Sequence, residues 1–167
     1  MNYQEYVTTL KNQTVNQPYE DQLKFAVLIS QKLYPDYQKF YEIYKWGDPD
    51  LLSDAIRICQ NALANLSDIN QVNILVPKID LIIPSMDDFG SELSSYALNA
   101  SSAVYETLQF IIDKNKKHIY NIATYYTDTV DFKIQEEKEL TDYEIETHPV
   151  MLEAWNFILQ QTKSTII

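Results

Sequence analysis

Apolar side chains recur every three to four positions along almost the whole chain, and this spacing decides the fold class. Such a period gathers them on one face of a helix, whereas a strand needs strict alternation. Only two glycines and six prolines occur in 167 residues, too few turn formers for the reversals of an all-β sandwich. No Gly/Ser-rich linker, internal repeat or low-complexity tract breaks the pattern. The expectation is one all-α domain over 1–167, a compact bundle of about seven to eight helices.

Local signals place the elements. Asn2 with Glu5 forms a capping box for a first helix that turns Tyr6, Val7 and Leu10 inward. Pro18 opens a second helix with Leu23, Ala26, Val27, Ser30 and Leu33 on its stripe. Pro35 is expected to kink or restart that helix. Tyr37, Phe40, Tyr41 and Tyr44 then continue the spacing, and Gly47 is placed to end it in a left-handed conformation. Asp48-Pro49 starts the most clearly amphipathic helix, with Leu52, Ala55, Ile56, Cys59, Ala62, Leu63 and Leu66 on one side. Asn70 is a candidate cap for a helix that Pro77 kinks or restarts and Pro84 ends. Over 91–114 apolar residues occupy two faces, which predicts a central, enclosed helix. Further helices follow over 116–137, after the Thr141–Glu144 capping box, and from Pro149 onward, where Met151, Leu152, Trp155, Ile158 and Leu159 turn inward.

Charge excludes whole classes of partner. The chain carries 24 acidic and 13 basic side chains, a net charge of −11, and Arg57 is its only arginine. Binding nucleic acid requires cations that neutralise phosphates, so neither nucleic acid nor an anionic membrane is an expected partner. The longest uninterrupted apolar run is Phe25 to Ile29, far too short to span a bilayer. The first residues lack the basic-then-apolar order of a signal peptide. With Cys59 as the single cysteine, no intrachain disulfide can form, and a cytoplasmic location is expected.

The residues that carry chemistry are sparse. Of two histidines, neither has a glutamate three positions upstream, so the Glu-x-x-His pattern of di-iron bundles is missing. His118 reads as an exposed residue in a basic turn, and His148 as a cap before Pro149. Glu136, Glu137, Glu139, Asp142, Glu144 and Glu146 crowd one segment. Their simplest reading is a solvated surface; a Mg²⁺ site on Glu136 and Glu139 is the sharper alternative. Asp87-Asp88 precedes the central helix and suits its positive end, or forms an acidic rim at a cleft. Cys59 falls on a buried stripe and is expected to be inert. There is neither a nucleophile elbow nor a phosphate-cradling glycine loop. No metal and no cofactor are therefore expected. Tyr34, Tyr37, Phe40, Tyr41, Tyr44 and Trp46 concentrate aromatic surface in one stretch, part core and part candidate interface. Asn99 lies on the enclosed helix, where a buried amide must find partners or meet a ligand.

Several strings together resemble the YjaG-like family of uncharacterised bacterial proteins. They are Leu33-Tyr34-Pro35-Asp36-Tyr37 followed by Phe40, Gly47-Asp48-Pro49, Ile83-Pro84-Ser85-Met86-Asp87-Asp88-Phe89, Ala97-Leu98-Asn99-Ala100, and His148-Pro149 followed by Glu153 and Trp155. The resemblance covers nearly the whole chain in order. It implies an all-α bacterial protein of the cytoplasm and no assigned activity. It also implies departures: family members carry aspartate at the position of Asn99 and Tyr-Pro at Ser95-Tyr96, and extend beyond Thr165-Ile166-Ile167.

The leading expectation is a non-enzymatic interaction domain that meets the basic surface of another protein, or a second copy of itself. Tyr37, Tyr41, Trp46, Asp87, Asp88, Asn99 and His148 are its candidate pocket or interaction residues. An acidic immunity or antitoxin-like protein masking a basic toxin is one alternative. A small-ligand binder or Mg²⁺-dependent nucleotide-processing enzyme is another.

Overall fold

The computed structural model describes residues 1–163, and the ending Thr165-Ile166-Ile167 lies outside the described residues. Among these there are nine helices and no strand: α1 (Tyr3–Asn16), α2 (Tyr19–Tyr44), α3 (Pro49–Leu63), α4 (Ile69–Asp80), α5 (Met86–Phe89), α6 (Glu92–Asp113), α7 (Lys117–Gln135), α8 (Asp142–Glu146) and α9 (Pro149–Gln161). The count exceeds the sequence-based one because Ser85 caps the four-residue α5, whose tail Gly90 turns left-handed.

Caps fix most starts where the sequence places them. Asn2 and Glu5 satisfy each other's backbone N–H groups, Asp48 accepts from Leu51 N at 2.9 Å, and Thr141 and Glu144 form another capping box. Other expectations need correction. Pro35 does not restart α2, which runs unbroken for 26 residues. Its exposed ring removes a bond on the solvent side, and the buried Leu33, Asp36, Tyr37 and Phe40 keep the helix continuous through it. Pro77 is likewise tolerated inside α4. Lys45, not Gly47, is the left-handed residue that ends α2, with its N–H on Tyr41 O at 2.8 Å. The chain must leave early there for Trp46 to fold back onto Phe40 and Phe89. α3 stops at Leu63, because Asn65 adopts positive φ, and Leu66 stands 74% exposed outside the stripe. Asp68 caps α4, so Asn70 lies within it.

α6 is the enclosed helix that the two-faced pattern predicts. It packs against α2, α3, α4, α5 and α7, and fourteen of its residues are buried. The second stripe, Leu98, Tyr105 and Ile112, is half-buried. Small side chains let α2 and α6 approach closely: Ser30 and Thr107 each bond a carbonyl of their own helix, and their hydroxyl oxygens lie 3.1 Å apart. Burying such a hydroxyl is tolerable only because each has a partner. Around this axis Leu23, Phe25, Ile29, Phe40, Leu52, Ile79, Leu108, Phe110, Ile119, Ile122 and Ile158 fill one shared core.

Candidate functional site

The residues singled out from the sequence divide between two regions. Tyr37, Trp46 and the helix carrying Asp87 and Asp88 converge at the end of α2. Phe89 is the hub there, with ring centroids 4.9 Å from Phe40, 5.2 Å from Tyr44 and 5.3 Å from Trp46. Tyr37 is fully buried, donating to Ile82 O at 2.8 Å and accepting from Asp48 N at 3.3 Å. Tyr41 is half-buried beneath the Lys45 ammonium. Asp87 and Asp88 are exposed on α5, with the Asp87 N–H held by Ser85. Asn99 and His148 lie apart from this cluster. Asn99 is buried and donates to Thr129 Oγ1 at 3.0 Å, tying α6 to α7. His148 caps α9 through Nδ1, which accepts from Val150 N at 3.3 Å.

A different place has the geometry of a binding site. Between α1, α7, α8 and α9 lies a cavity of about 240 Å³. Asp128 and Asp131 of α7 and Asp142 and Glu146 of α8 line it, with Trp155 and Tyr3 as aromatic wall. Tyr3 and Trp155 have ring centroids 6.3 Å apart, and Tyr6 stacks behind Trp155 at 5.3 Å with an interplanar angle of 12°. No lysine or arginine lines the cavity. Among the described residues, none of its four carboxylates is ion-paired. Glu146 accepts from Tyr3 N at 3.3 Å, and Asp131 from Gln135 Nε2 at 2.8 Å. Both keep further lone pairs for a guest.

The electrostatics follow from that arrangement. Burial raises the Asp128 carboxyl above its ordinary range, and the neighbouring Asp131 charge adds to the rise. Beneath the wall, Tyr6 is 3% exposed and its hydroxyl has no hydrogen-bond partner among the described residues. Burial raises its pKa, and the nearby Tyr3 and Asp128 raise it further. The site is thus rich in negative potential and poor in donors that could relieve it. A cation bridging the carboxylates would do so. Among the described residues no three Asp, Glu, His or Cys side chains group tightly enough to hold one metal ion.

A family model described as "Protein of unknown function (DUF416)" matches residues 10–164. The chain belongs to the DUF416 family. A solved DUF416 protein from Shewanella baltica superposes with a TM-score of 0.77 at 23% identity, covering 90% of this chain and 82% of that one. At that identity the likeness shows the fold alone. No curated protein matches this DUF416 chain.

Within this DUF416 fold the acidic pocket draws on residues that sequence reasoning mostly passed over. Asp142 and Glu146 belong to the acidic run read as solvated surface, and Trp155 and Tyr6 read as core. The missed pair is Asp128 and Asp131. Their three-residue spacing puts both on one helix face beside buried Thr127, and that was the available signal. His118 also departs from expectation. It is half-buried at the start of α7, with Nδ1 on Glu106 and Nε2 3.1 Å from Asp113. Burial lowers its pKa, but the two carboxylates outweigh burial and raise it overall. Cys59 is fully buried as expected, and burial pushes its thiol up to about 12.

Proposed function

We propose that this chain is a binding module for basic proteins, taking a lysine or arginine side chain of its partner into the pocket between α1, α7, α8 and α9. One observation carries the reading: four carboxylates without ion pairs surround an aromatic-walled cavity that has no cation of its own. An organic cation gains there from the carboxylates and from the exposed Tyr3 ring. At about 240 Å³ the cavity is below the size of drug-like pockets but suits one long side chain. The net charge of −11 steers such a partner toward the surface before the pocket is reached. Masking of a basic toxin is the special case of this reading, and net charge is its support. Within DUF416, the strings around Asp36, Asp87 and His148 support YjaG-like membership. The buried lone cysteine supports a reducing, cytoplasmic setting. No helix among the described residues is long and apolar enough to cross a membrane.

The test is fluorescence anisotropy with a labelled peptide of alternating lysine and glycine and its lysine-acetylated counterpart. Wild-type protein binds the charged peptide more tightly, and binding weakens as salt rises. Asp131→Asn and Asp142→Asn each weaken it about two- to fivefold, the range for partly exposed charge pairs. Equal binding of the two peptides, or wild-type affinity in both variants, removes the proposal.

A further inference from the structure

A larger cavity lies at the opposite end of α9 from the acidic pocket. It measures about 460 Å³, within the range of small-molecule sites. Its uncharged polar groups are of one kind: Gln17, Gln31, Gln60, Gln160 and Gln161 all line it. Half-buried Leu28 and Leu63 supply apolar surface. Asp21 partly offsets Lys24 and Lys163, so the lining is close to neutral in an otherwise acidic protein.

Gln17 is the anchor. It is 4% exposed, and its backbone is clamped between α1 and α2: its N–H donates to Thr14 O, and its carbonyl accepts from Gln22 Nε2 at 3.1 Å. Its own Nε2 donates to Gln161 O at 3.2 Å. That bond fixes which way the amide faces, because the flipped amide would set oxygen against oxygen. Oε1 is left buried without a donor among the described residues. A buried acceptor with no partner costs roughly a hydrogen bond's worth of stability, and a ligand N–H can restore it.

We infer that this cavity is a second site, separate from the acidic pocket, and that it binds an uncharged nucleobase, free or within a nucleoside. The ligand must donate to Gln17 Oε1. Its edge must alternate donors and acceptors, since each glutamine amide offers both. Its faces must be flat and apolar enough for the Leu28 and Leu63 side. A nucleobase has all three properties, and amide side chains read base edges in this manner. A monosaccharide lacks the flat apolar face, and a phosphorylated nucleotide meets a protein of net charge −11 with only two lysines at the site.

Differential scanning fluorimetry and saturation-transfer NMR on the full chain test this, with adenine, adenosine, guanosine, cytidine, uridine, their monophosphates and glucose as probes. At ten times Kd, at least one base or nucleoside raises Tm by about 3–6 °C, as expected for a ligand of the native state alone. Its monophosphate and glucose give smaller shifts. Gln17→Met keeps the side-chain shape, removes the acceptor and weakens binding at least tenfold. Because Gln17 is buried, the exposed Gln31→Ala and Gln60→Ala serve as variants that keep the fold; each weakens binding about three- to tenfold. No shift with any base or nucleoside overturns the inference. So does a shift that all three variants retain, or a preference for glucose.

Discussion

The Tyr37 hydroxyl is committed on both sides, to Ile82 O and to Asp48 N, and burial pushes its pKa up to about 12, so the donor stays protonated under ordinary conditions. Gly47 adopts a φ of +94°, and a Cβ there would run into that hydroxyl. An alanine at 47 therefore meets backbone strain and a neighbour that cannot yield without giving up its bonds. Gly47→Ala is expected to lower stability by about 2–3 kcal/mol, read from urea melts. Adding Tyr37→Phe to that variant removes the obstructing oxygen, so the double variant loses less than the sum of the two single losses. Simple additivity would show that the clash is absent. Glycine at 47 was legible in the sequence as a left-handed residue. Its reason was not, because Tyr37 lies ten positions away on α2 and meets it only through the fold.

At the scale of helices, two ionic clasps help to hold α7. Lys133 places Nζ 2.8 Å from Asp36 of α2, whose carboxylate is mostly buried, and 5.1 Å above the Tyr96 ring of α6. Lys133→Met strands that carboxylate, and the half-exposed lysine limits the loss to about 1–2 kcal/mol. Asp36→Asn combined with Lys133→Met regains part of it in the same urea melts. The second clasp is His118 between Glu106 and Asp113. Its folded pKa lies above the ordinary 6.5, so the folded state binds the proton more tightly. The stabilisation is then fully present below 6.5 and is lost as pH rises through the folded value. His118→Gln should thus cost more at pH 6 than at pH 9; an equal cost at both would show that the charged imidazole does not stabilise the fold. Helices, caps and most core positions were legible because each is written in local spacing: Asn2 with Glu5, Asp48 with Pro49, Leu23 with Ala26, Val27 and Ser30. The passage of α2 through Pro35 was not, because tertiary packing of Leu33, Tyr37 and Phe40 outweighs a local breaker. The Lys133–Asp36 clasp joins residues 97 positions apart, the acidic pocket brings Tyr3 to Asp128, Asp142 and Trp155, and no local pattern announces such meetings.

For the whole molecule, unrelieved negative charge sets stability against binding. A compact body with net charge −11 repels itself, and the pocket concentrates that repulsion at half-buried Asp128 beside Asp131. Asp128 reports the effect, since burial and Asp131 raise its carboxyl above the ordinary 3.8. The folded protein then binds that proton more tightly than the unfolded chain does. As pH rises through 3.8 toward the folded value, ionisation works against the fold, and the penalty is complete at neutral pH. Asp128→Asn removes it. The variant should melt about 1–2 °C higher than wild type at pH 7, the size of a modest surface effect, and the gain should shrink as pH falls toward 3.8. If the pocket serves a basic partner, the same variant binds the lysine peptide more weakly although it is more stable. A purely structural carboxylate would lose stability when neutralised, and a solvated one would change neither quantity. A pocket kept negative at the expense of the fold moves the two in opposite directions, and thermal melts and anisotropy on one variant distinguish these cases.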